Sequence, residues 1–249
     1  MKHSKPLADP APMKKYFLTF GDSRNYRASL DRIAQEAADM GFFDDRRICS
    51  EKDISEFMAA HDEFFARSRT GFGYWTWKPY LVSQQLEAMA EGDILLYCDS
   101  GCQFNVNDAS MARLQEYFDM LAGSPYSTLS FELGHKEKTW TKGDCFEHFS
   151  ASMDDSFQLV GGVFLIRKCA AALELIASIN DLISRRQYHL FDDTPSVAPN
   201  DPTFIEHRHD QSVFSLKRKQ AGTLVLADET WFKEWEFGRD YPIHARRFR

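Results

Sequence analysis

The sequence has few cysteines and no pair of them at a metal-binding spacing. Its five Cys residues are odd in number and include no Cys-x-x-Cys pair, and no second Cys/His pair at zinc-finger spacing follows Cys98 and Cys102. This pattern gives no sign of a disulfide framework and argues against a structural zinc site. The 249 residues need neither, because a chain of this length buries roughly 70–75% of the surface that it exposes when unfolded.

Long hydrophobic runs and a surplus of basic residues are also missing. No run approaches 18 apolar residues, and residues 1–13, with three prolines, lack the apolar core of a signal peptide. We therefore expect a soluble, cytoplasmic protein without a transmembrane segment. Acidic residues outnumber basic ones by 37 to 30, for a net charge of −7, so we expect no nucleic-acid partner.

Three motifs of common enzyme families are absent as well. The sequence contains no Gly-x-Gly-x-x-Gly, no Gly-x-x-x-x-Gly-Lys-[Ser/Thr] and no Gly-x-Ser-x-Gly. Their absence argues against a dinucleotide-binding enzyme, a P-loop nucleotidase and a serine hydrolase of the nucleophile-elbow type.

Strand patterns and helix patterns alternate along most of the chain. Apolar runs predict strands at 15–20, 46–49, 94–98, 127–133, 159–166 and 223–226. Apolar residues at helical spacing predict helices near 30–37, 53–65, 79–89, 108–121, 169–188 and 210–219. Such an alternation favours an α/β fold with a mostly parallel central sheet flanked by helices.

The end of one predicted strand is a candidate site. The run from Ile94 to Cys98 is continuously apolar, as in a strand buried on both faces, and Asp99-Ser100-Gly101 follows it directly. Ligands bind at the C-terminal ends of the strands in open α/β sheets. Asp99 is therefore a candidate binding residue; the alternative is a turn residue or a helix cap.

A second candidate is the aromatic segment 71–80. It holds Trp75 and Trp77, two tyrosines, and Lys78 just before a helix that Pro79 can open. Aromatic rings can stack on a base or a sugar, and a lysine at a helix start can meet a phosphate. The alternative is a small aromatic core that holds a loop against the sheet.

The third candidate is the segment 206–212, which precedes a predicted helix. His207 and His209 share a face if the segment is extended, and Asp210 lies at the helix start, where it can also be an ordinary N-cap.

Two further features are Gly161-Gly162, which either admit a sugar close to the backbone or form a bulge, and Asp193 in the proline-rich loop 189–206.

Together the three segments resemble a family of GT-A-fold sugar transferases from bacterial and viral surface-polysaccharide gene sets. The resemblance rests on Tyr74-Trp75-Thr76-Trp77-Lys78-Pro79, Tyr97-Cys98-Asp99-Ser100-Gly101 and His207-Arg208-His209-Asp210-Gln211-Ser212, and it extends over most of the chain. It implies a glycosyltransferase that moves a sugar from a nucleotide-diphosphate sugar to a glycan or lipid-linked glycan acceptor. It also implies one GT-A-like catalytic domain over 14–249 after a flexible lead at 1–13. The nucleotide-binding half would span about 14–105 and the acceptor-side half about 106–249.

The resemblance also implies roles for individual residues. Asp210 would be the catalytic acid position, with His209 and Gln211 orienting sugar hydroxyls. Such an Asp-Gln pair occurs in both inverting and retaining families, so it does not predict whether the transfer inverts or retains the configuration at the sugar. The acceptor side would include Gly161, Gly162 and Asp193. The donor would be bound by Phe20, Gly21, Ser23, Trp77, Lys78, Asp99, Ser100, Gly101 and Arg246.

The expected metal site departs from the family pattern. GT-A enzymes commonly have Asp-x-Asp where this chain has Asp99-Ser100-Gly101, so the second carboxylate is missing. We expect a Mn²⁺ or Mg²⁺ ion held by Asp99, diphosphate oxygens and water, with His244 or Asp210 as a later ligand. The alternative is that Lys78 and the basic tail, Arg246 and Arg249, supply the counter-charge instead.

The sequence is also compatible with two other functions. A metal-dependent hydrolase would use His207, His209 and Asp210, although such enzymes generally need more ligands in register. A non-catalytic carbohydrate-binding module would use Trp75 and Trp77 as a stacking platform, but it would need neither Asp99 nor Asp210.

Overall fold

The computed structural model describes residues 12–68 and 70–246. Most of the expected lead (1–11) and Arg249 lie outside the described residues. The strands are β1 (Lys15–Phe20), β2 (Asp45–Cys49), β3 (Ile94–Cys98), β4 (Gln103–Phe104), β5 (Thr128–Lys136), β6 (Phe157–Arg167), β7 (Leu224–Ala227) and β8 (Ile243–His244). The helices are α1 (Arg27–Asp39), α2 (Ser55–Ala60), α3 (Asp62–Arg67), α4 (Gly71–Tyr74), α5 (Lys78–Ala88), α6 (Asp108–Gly123), α7 (Glu137–Trp140), α8 (Gly143–Phe149), α9 (Ala170–Ser184), α10 (Asp210–Ala221) and α11 (Trp235–Gly238).

Six strands form one central sheet in the order β2-β1-β3-β6-β5-β7. Strands β2, β1, β3, β5 and β7 run in one direction, and β6 is antiparallel to both of its neighbours. The expected α/β fold with a mostly parallel sheet is thus confirmed. The two remaining strands, β4 and β8, pair in a separate small sheet that was not predicted.

Helices cover both faces of the sheet because the side chains of its central strand alternate between two buried layers. Leu95 and Tyr97 of β3 face a core shared with α5, α9 and α10, whereas Ile94, Leu96 and Cys98 face a core shared with α1 and α6. Since the alternation continues past the strand end, it places Asp99 on the same face as Tyr97, towards α5 and α10.

The antiparallel strand β6 brings the candidate site together. Its middle lies beside the end of β3, where Cys98 pairs with Val163 and the backbone N–H of Asp99 donates to the oxygen of Gly162 at 2.8 Å. Helix α10 packs on the same part of β6, with the Ser215 hydroxyl accepting from the Leu159 N–H at 2.9 Å. No helix in the described part of the chain is long and apolar enough to cross a membrane.

Candidate active site

The centre of the candidate site is the ammonium group of Lys78, which lies against two carboxylates. Its Nζ is 2.5 Å from Oδ2 of Asp210 and 3.5 Å from Oδ1 of Asp99, and it donates to the backbone oxygen of Gly161 at 3.0 Å. Lys78 is 1% exposed, so oxygens of three different elements surround its three donors. The expected contact of Lys78 with a donor phosphate therefore has no support, because the ammonium is occupied by the protein itself.

A strained aromatic turn fixes the start of α5 and with it Lys78. Within residues 71–77, Phe72 and Trp75 have φ angles of 45° and 57°, which non-glycine residues rarely adopt. The indole N–H of Trp77 donates to the Phe72 oxygen at 2.9 Å and holds the turn together. Much of this segment is thus the small aromatic core that was the alternative to a ligand platform.

Asp99 is the more accessible of the two acids. Its side chain is 41% exposed, against 7% for that of Asp210. On the protein side, the Tyr97 hydroxyl donates to Oδ1 of Asp99 at 2.8 Å, and a Cβ added to Gly162 would lie 2.5 Å from Oδ2. Asp99 is therefore held on one side and open on the other, as a ligand-binding carboxylate must be.

Burial and charge oppose each other in this cluster. Burial lowers the pKa of Lys78, but Asp210 and Asp99 outweigh it, and the net shift is upward, so the amine stays protonated. Burial raises the pKa of Asp210 and Asp99 adds to that shift, while Lys78 opposes it. Burial, and then Asp99, raise the pKa of Tyr97 well above its usual value, so its hydroxyl remains a donor.

The two glycines of β6 make room for side chains of the protein. A Cβ on Gly161 would lie 2.7 Å from the Cβ of Gln211, just as one on Gly162 would meet Asp99. The Gln211 amide accepts from the Gly161 N–H at 3.1 Å and donates to Gln158 at 2.7 Å. The two glycines therefore leave room for Asp99 and Gln211, and the close approach of a sugar to this backbone stays a prediction.

His209 lies at the other side of Asp210, in a strained backbone conformation with φ 53° and ψ −125°. Its Nδ1 is 2.9 Å from the carbonyl oxygen of Phe191 and donates to it. Nε2 is 3.7 Å from a carboxylate oxygen of Asp193, which also accepts from the Tyr74 hydroxyl at 3.0 Å. The structure thus brings the expected acceptor-side residue Asp193 next to His209.

His207 is an internal residue and not a ligand. Its Nε2 donates to the Leu190 oxygen at 2.9 Å, and its Nδ1 accepts from the Lys142 N–H at 3.4 Å. Burial, and then the charge of Lys142, lower the pKa of His207 well below its ordinary value. Nowhere in 12–68 and 70–246 do three His, Cys, Asp or Glu side chains form a group that could hold a metal. The hydrolase alternative therefore has no support.

The residues expected near the nucleotide lie at the C-terminal end of β1, beside the end of β2. Phe20 and Trp77 are buried and pack against each other, with ring centroids 3.8 Å apart and the ring planes tilted by 31°. Gly21 donates to the Cys49 oxygen at 3.1 Å, and the Ser23 N–H donates to the Glu51 carboxylate at 3.0 Å. A donor-binding role for these residues stays a prediction, with Ser23 as the exposed member of the set.

Ser100 and Gly101 form the turn after β3. Ser100 is buried, and its backbone oxygen accepts from the Arg32 guanidinium at 3.2 Å. The turn closes where the Cys102 N–H donates to the Asp99 oxygen at 2.9 Å. The turn thus ties the Asp99 backbone to α1 and leaves the Asp99 side chain outside it.

His244 and Arg246 lie at a neighbouring cavity of about 460 Å³. Strand β8 places His244 opposite Gln103, four residues after Asp99, and His244 Nε2 donates to the Gly238 oxygen at 3.0 Å. The Arg246 guanidinium lies 4.3 Å from the centre of the Trp235 ring. The cavity lining comprises Thr230, Trp231, Phe232, Lys233, His244 and Arg246. A metal-binding role for His244 and a donor-binding role for Arg246 remain predictions.

Tyr97 is the site residue that the sequence reasoning missed. It lies inside an apolar run that predicts only a buried strand. Its hydroxyl nevertheless donates to Asp99, and its ring lies 4.9 Å from Lys78 Nζ. The signal was its position two residues before Asp99, which puts both side chains on one face of a strand.

Known structures share this fold. No characterised family and no curated protein matches the chain by sequence. Over 94% of both chains, the structure resembles a glycosyltransferase involved in the glycosylation of the major capsid of PBCV-1, with a TM-score of 0.54 and 13% identity. The chain has a GT-A-like fold. Less similar structures are mouse xyloside xylosyltransferase 1 (TM-score 0.45, 13% identity, 90% of both chains) and the galactosyltransferase LgtC (TM-score 0.43, 14% identity, 86% of this chain and 74% of that one).

Proposed function

We propose that this protein is a glycosyltransferase that moves a sugar from a nucleotide-diphosphate sugar to a hydroxyl of a glycan or lipid-linked glycan. The observation that supports it best is the meeting of Asp99 and Asp210 on one buried lysine, at the C-terminal end of β3 in a GT-A-like fold. In open α/β sheets this edge is where ligands bind. The proposed setting is the synthesis of surface polysaccharide on the cytoplasmic side.

The two acids have different tasks in this proposal. Asp99, with its exposed side chain, faces the donor. Asp210, which is held by Lys78 through Oδ2, would accept the proton of the acceptor hydroxyl, and because burial raises its pKa it is a better proton acceptor than an exposed aspartate. His209 and Asp193 lie where they can hydrogen-bond acceptor hydroxyls.

A divalent cation, Mn²⁺ or Mg²⁺, is part of the proposal. The chemistry of the donor set fits a weakly held ion, because Asp99 offers one accessible carboxylate and these ions often keep several waters. When bound, the ion would neutralise charge on the leaving diphosphate.

The proposed function is tested by thermal shift with a panel of nucleoside diphosphates, each with and without Mn²⁺. We expect at least one nucleotide to raise Tm, and Mn²⁺ to raise it further. If no nucleotide raises Tm, the transferase proposal is contradicted. If a nucleotide raises Tm but Mn²⁺ has no effect, the transferase proposal stands and the divalent cation is not part of it.

Asp99→Ala is the matched variant for this experiment. Because loss of the Asp99 carboxylate leaves the buried Tyr97 hydroxyl without its acceptor, we expect a modest drop in the Tm of the free protein, together with loss of transfer and of the Mn²⁺ effect. If turnover is unchanged, Asp99 is a turn residue and not part of the donor site.

A further inference from the structure

Lys78 is a cation without access to a ligand. It is nearly fully buried, and its neighbours belong to three elements: Asp210 at the start of α10, Gly161 in β6 and Asp99 at the end of β3. An ammonium group in this position joins the pieces of the site instead of touching a substrate.

We propose that Lys78 is a positioning residue, whose ammonium group fixes the Asp210 carboxylate in place as its buried ion-pair partner. Its role in transfer rests on the proposed function. Its role as the internal counter-ion of Asp210 does not, and the two are measured separately below.

The contacts single out Asp210 as the group that depends on Lys78. Asp99 has solvent and the Tyr97 hydroxyl as further partners, whereas Asp210 is buried and has Lys78 as its close cation. A carboxylate buried without a partner is unfavourable, and removing one member of a buried ion pair is far more disruptive than removing an exposed one.

Other charged groups face Asp210 but do not replace Lys78. His209 lies beside it on the chain, Tyr97 and Asp99 face it from the β3 side, and Arg218 acts from two turns further along α10. Arg218 is held by the Val160 oxygen at 2.7 Å and by the Ser130 hydroxyl at 3.1 Å. Loss of Lys78 therefore leaves Asp210 without a close cation.

The test is a double-mutant cycle on Tm with Lys78→Met, Asp210→Asn and the double variant. At pH 7.5 we expect Lys78→Met to lower Tm by roughly 6–20 °C. Adding Asp210→Asn should restore at least half of the loss, because the unpaired charge is gone. If Lys78→Met is within about 2 °C of the wild type, or if Asp210→Asn restores nothing, the proposal is overturned.

Lys142→Met is the matched control. Lys142 is about as buried as Lys78, but its ammonium donates to the backbone oxygens of Asp192 and Thr194 at 3.0 and 3.1 Å, and the carboxylate beside it is that of Asp192, 3.9 Å away, not that of Asp210. Asp210→Asn should restore nothing in the Lys142→Met background. If Lys78→Met does not fold, folding of the double variant still supports the proposal, and failure of both overturns it.

Activity provides the separate readout for the transfer role. Where the Lys78→Met protein is folded, kcat should fall while the KM for the donor stays close to that of the wild type, because the Asp210 carboxylate is displaced and the donor-facing Asp99 remains. An unchanged kcat together with the Tm results above would mean that Lys78 is the counter-ion of Asp210 but has no part in transfer.

Discussion

Gly162→Ala tests whether the geometry at the end of β3 matters for activity. The added Cβ would lie 2.5 Å from Oδ2 and 3.1 Å from Cγ of Asp99, where ordinary contacts begin at 3.4 Å. Gly162 has a φ that alanine can adopt, since it is not among the glycines with positive φ. The backbone can thus accept the change, and the carboxylate of Asp99 is the group that must move.

The size of the effect follows from what holds Asp99. A displacement of about 1 Å breaks its hydrogen bond with the Tyr97 hydroxyl, and a misplacement of that size at a reacting group can cost about 10²-fold in rate. Stability should fall by only about 1 kcal/mol, the low end for overpacking, because the exposed Asp99 side chain can turn towards solvent. Activity should therefore fall much more than stability.

The assay is sugar transfer from the donor that the thermal-shift panel identifies, with the free energy of unfolding measured in urea. Gly134→Ala is the control, because Gly134 is also a strand glycine and a Cβ there meets nothing within 4 Å. If Gly162→Ala transfers sugar as fast as Gly134→Ala, the position of Asp99 does not limit the reaction.

Three further predictions concern the neighbouring residues. Gly161→Ala should destabilise more than Gly162→Ala, by about 2–3 kcal/mol in urea unfolding, because its Cβ would lie 2.9 Å from the backbone Cα of Gln211. His209→Gly should be about 1 kcal/mol more stable than His209→Ala, because only glycine relieves the positive φ; equal stabilities would show no strain there. Burial depresses the pKa of His207, so the fold keeps it neutral and loses stability as pH falls below about 6.5; His207→Gln should flatten that dependence between pH 7.5 and 5.

Local sequence signals predicted where Asp99 lies, because the apolar run and the turn after it are contiguous in the chain. They did not predict the direction of β6, which depends on the order of the strands in space. That direction places Gly162 beside Asp99, 63 positions away in the sequence.

The surroundings of Lys78 could not be predicted, for a related reason. Its position before Pro79 suggested a helix start that faces a phosphate, and the helix does begin there. The carboxylate that occupies its ammonium is 132 residues away. A buried ion pair of this kind depends on tertiary packing, and a single sequence contains no local pattern that reports it.

The buried pair also determines what else a donor site needs. One lysine and two aspartates give the cluster a formal charge of −1, and its exposed member is the carboxylate of Asp99. A diphosphate is negative too, so the cluster alone repels it, and a positive charge must come from elsewhere. A divalent ion on Asp99 is one source; Lys233 and Arg246, which line the cavity beside His244, are the other. Nucleotide binding that depends on Mn²⁺ and survives Arg246→Ala favours the ion, and the opposite pattern favours the basic side chains.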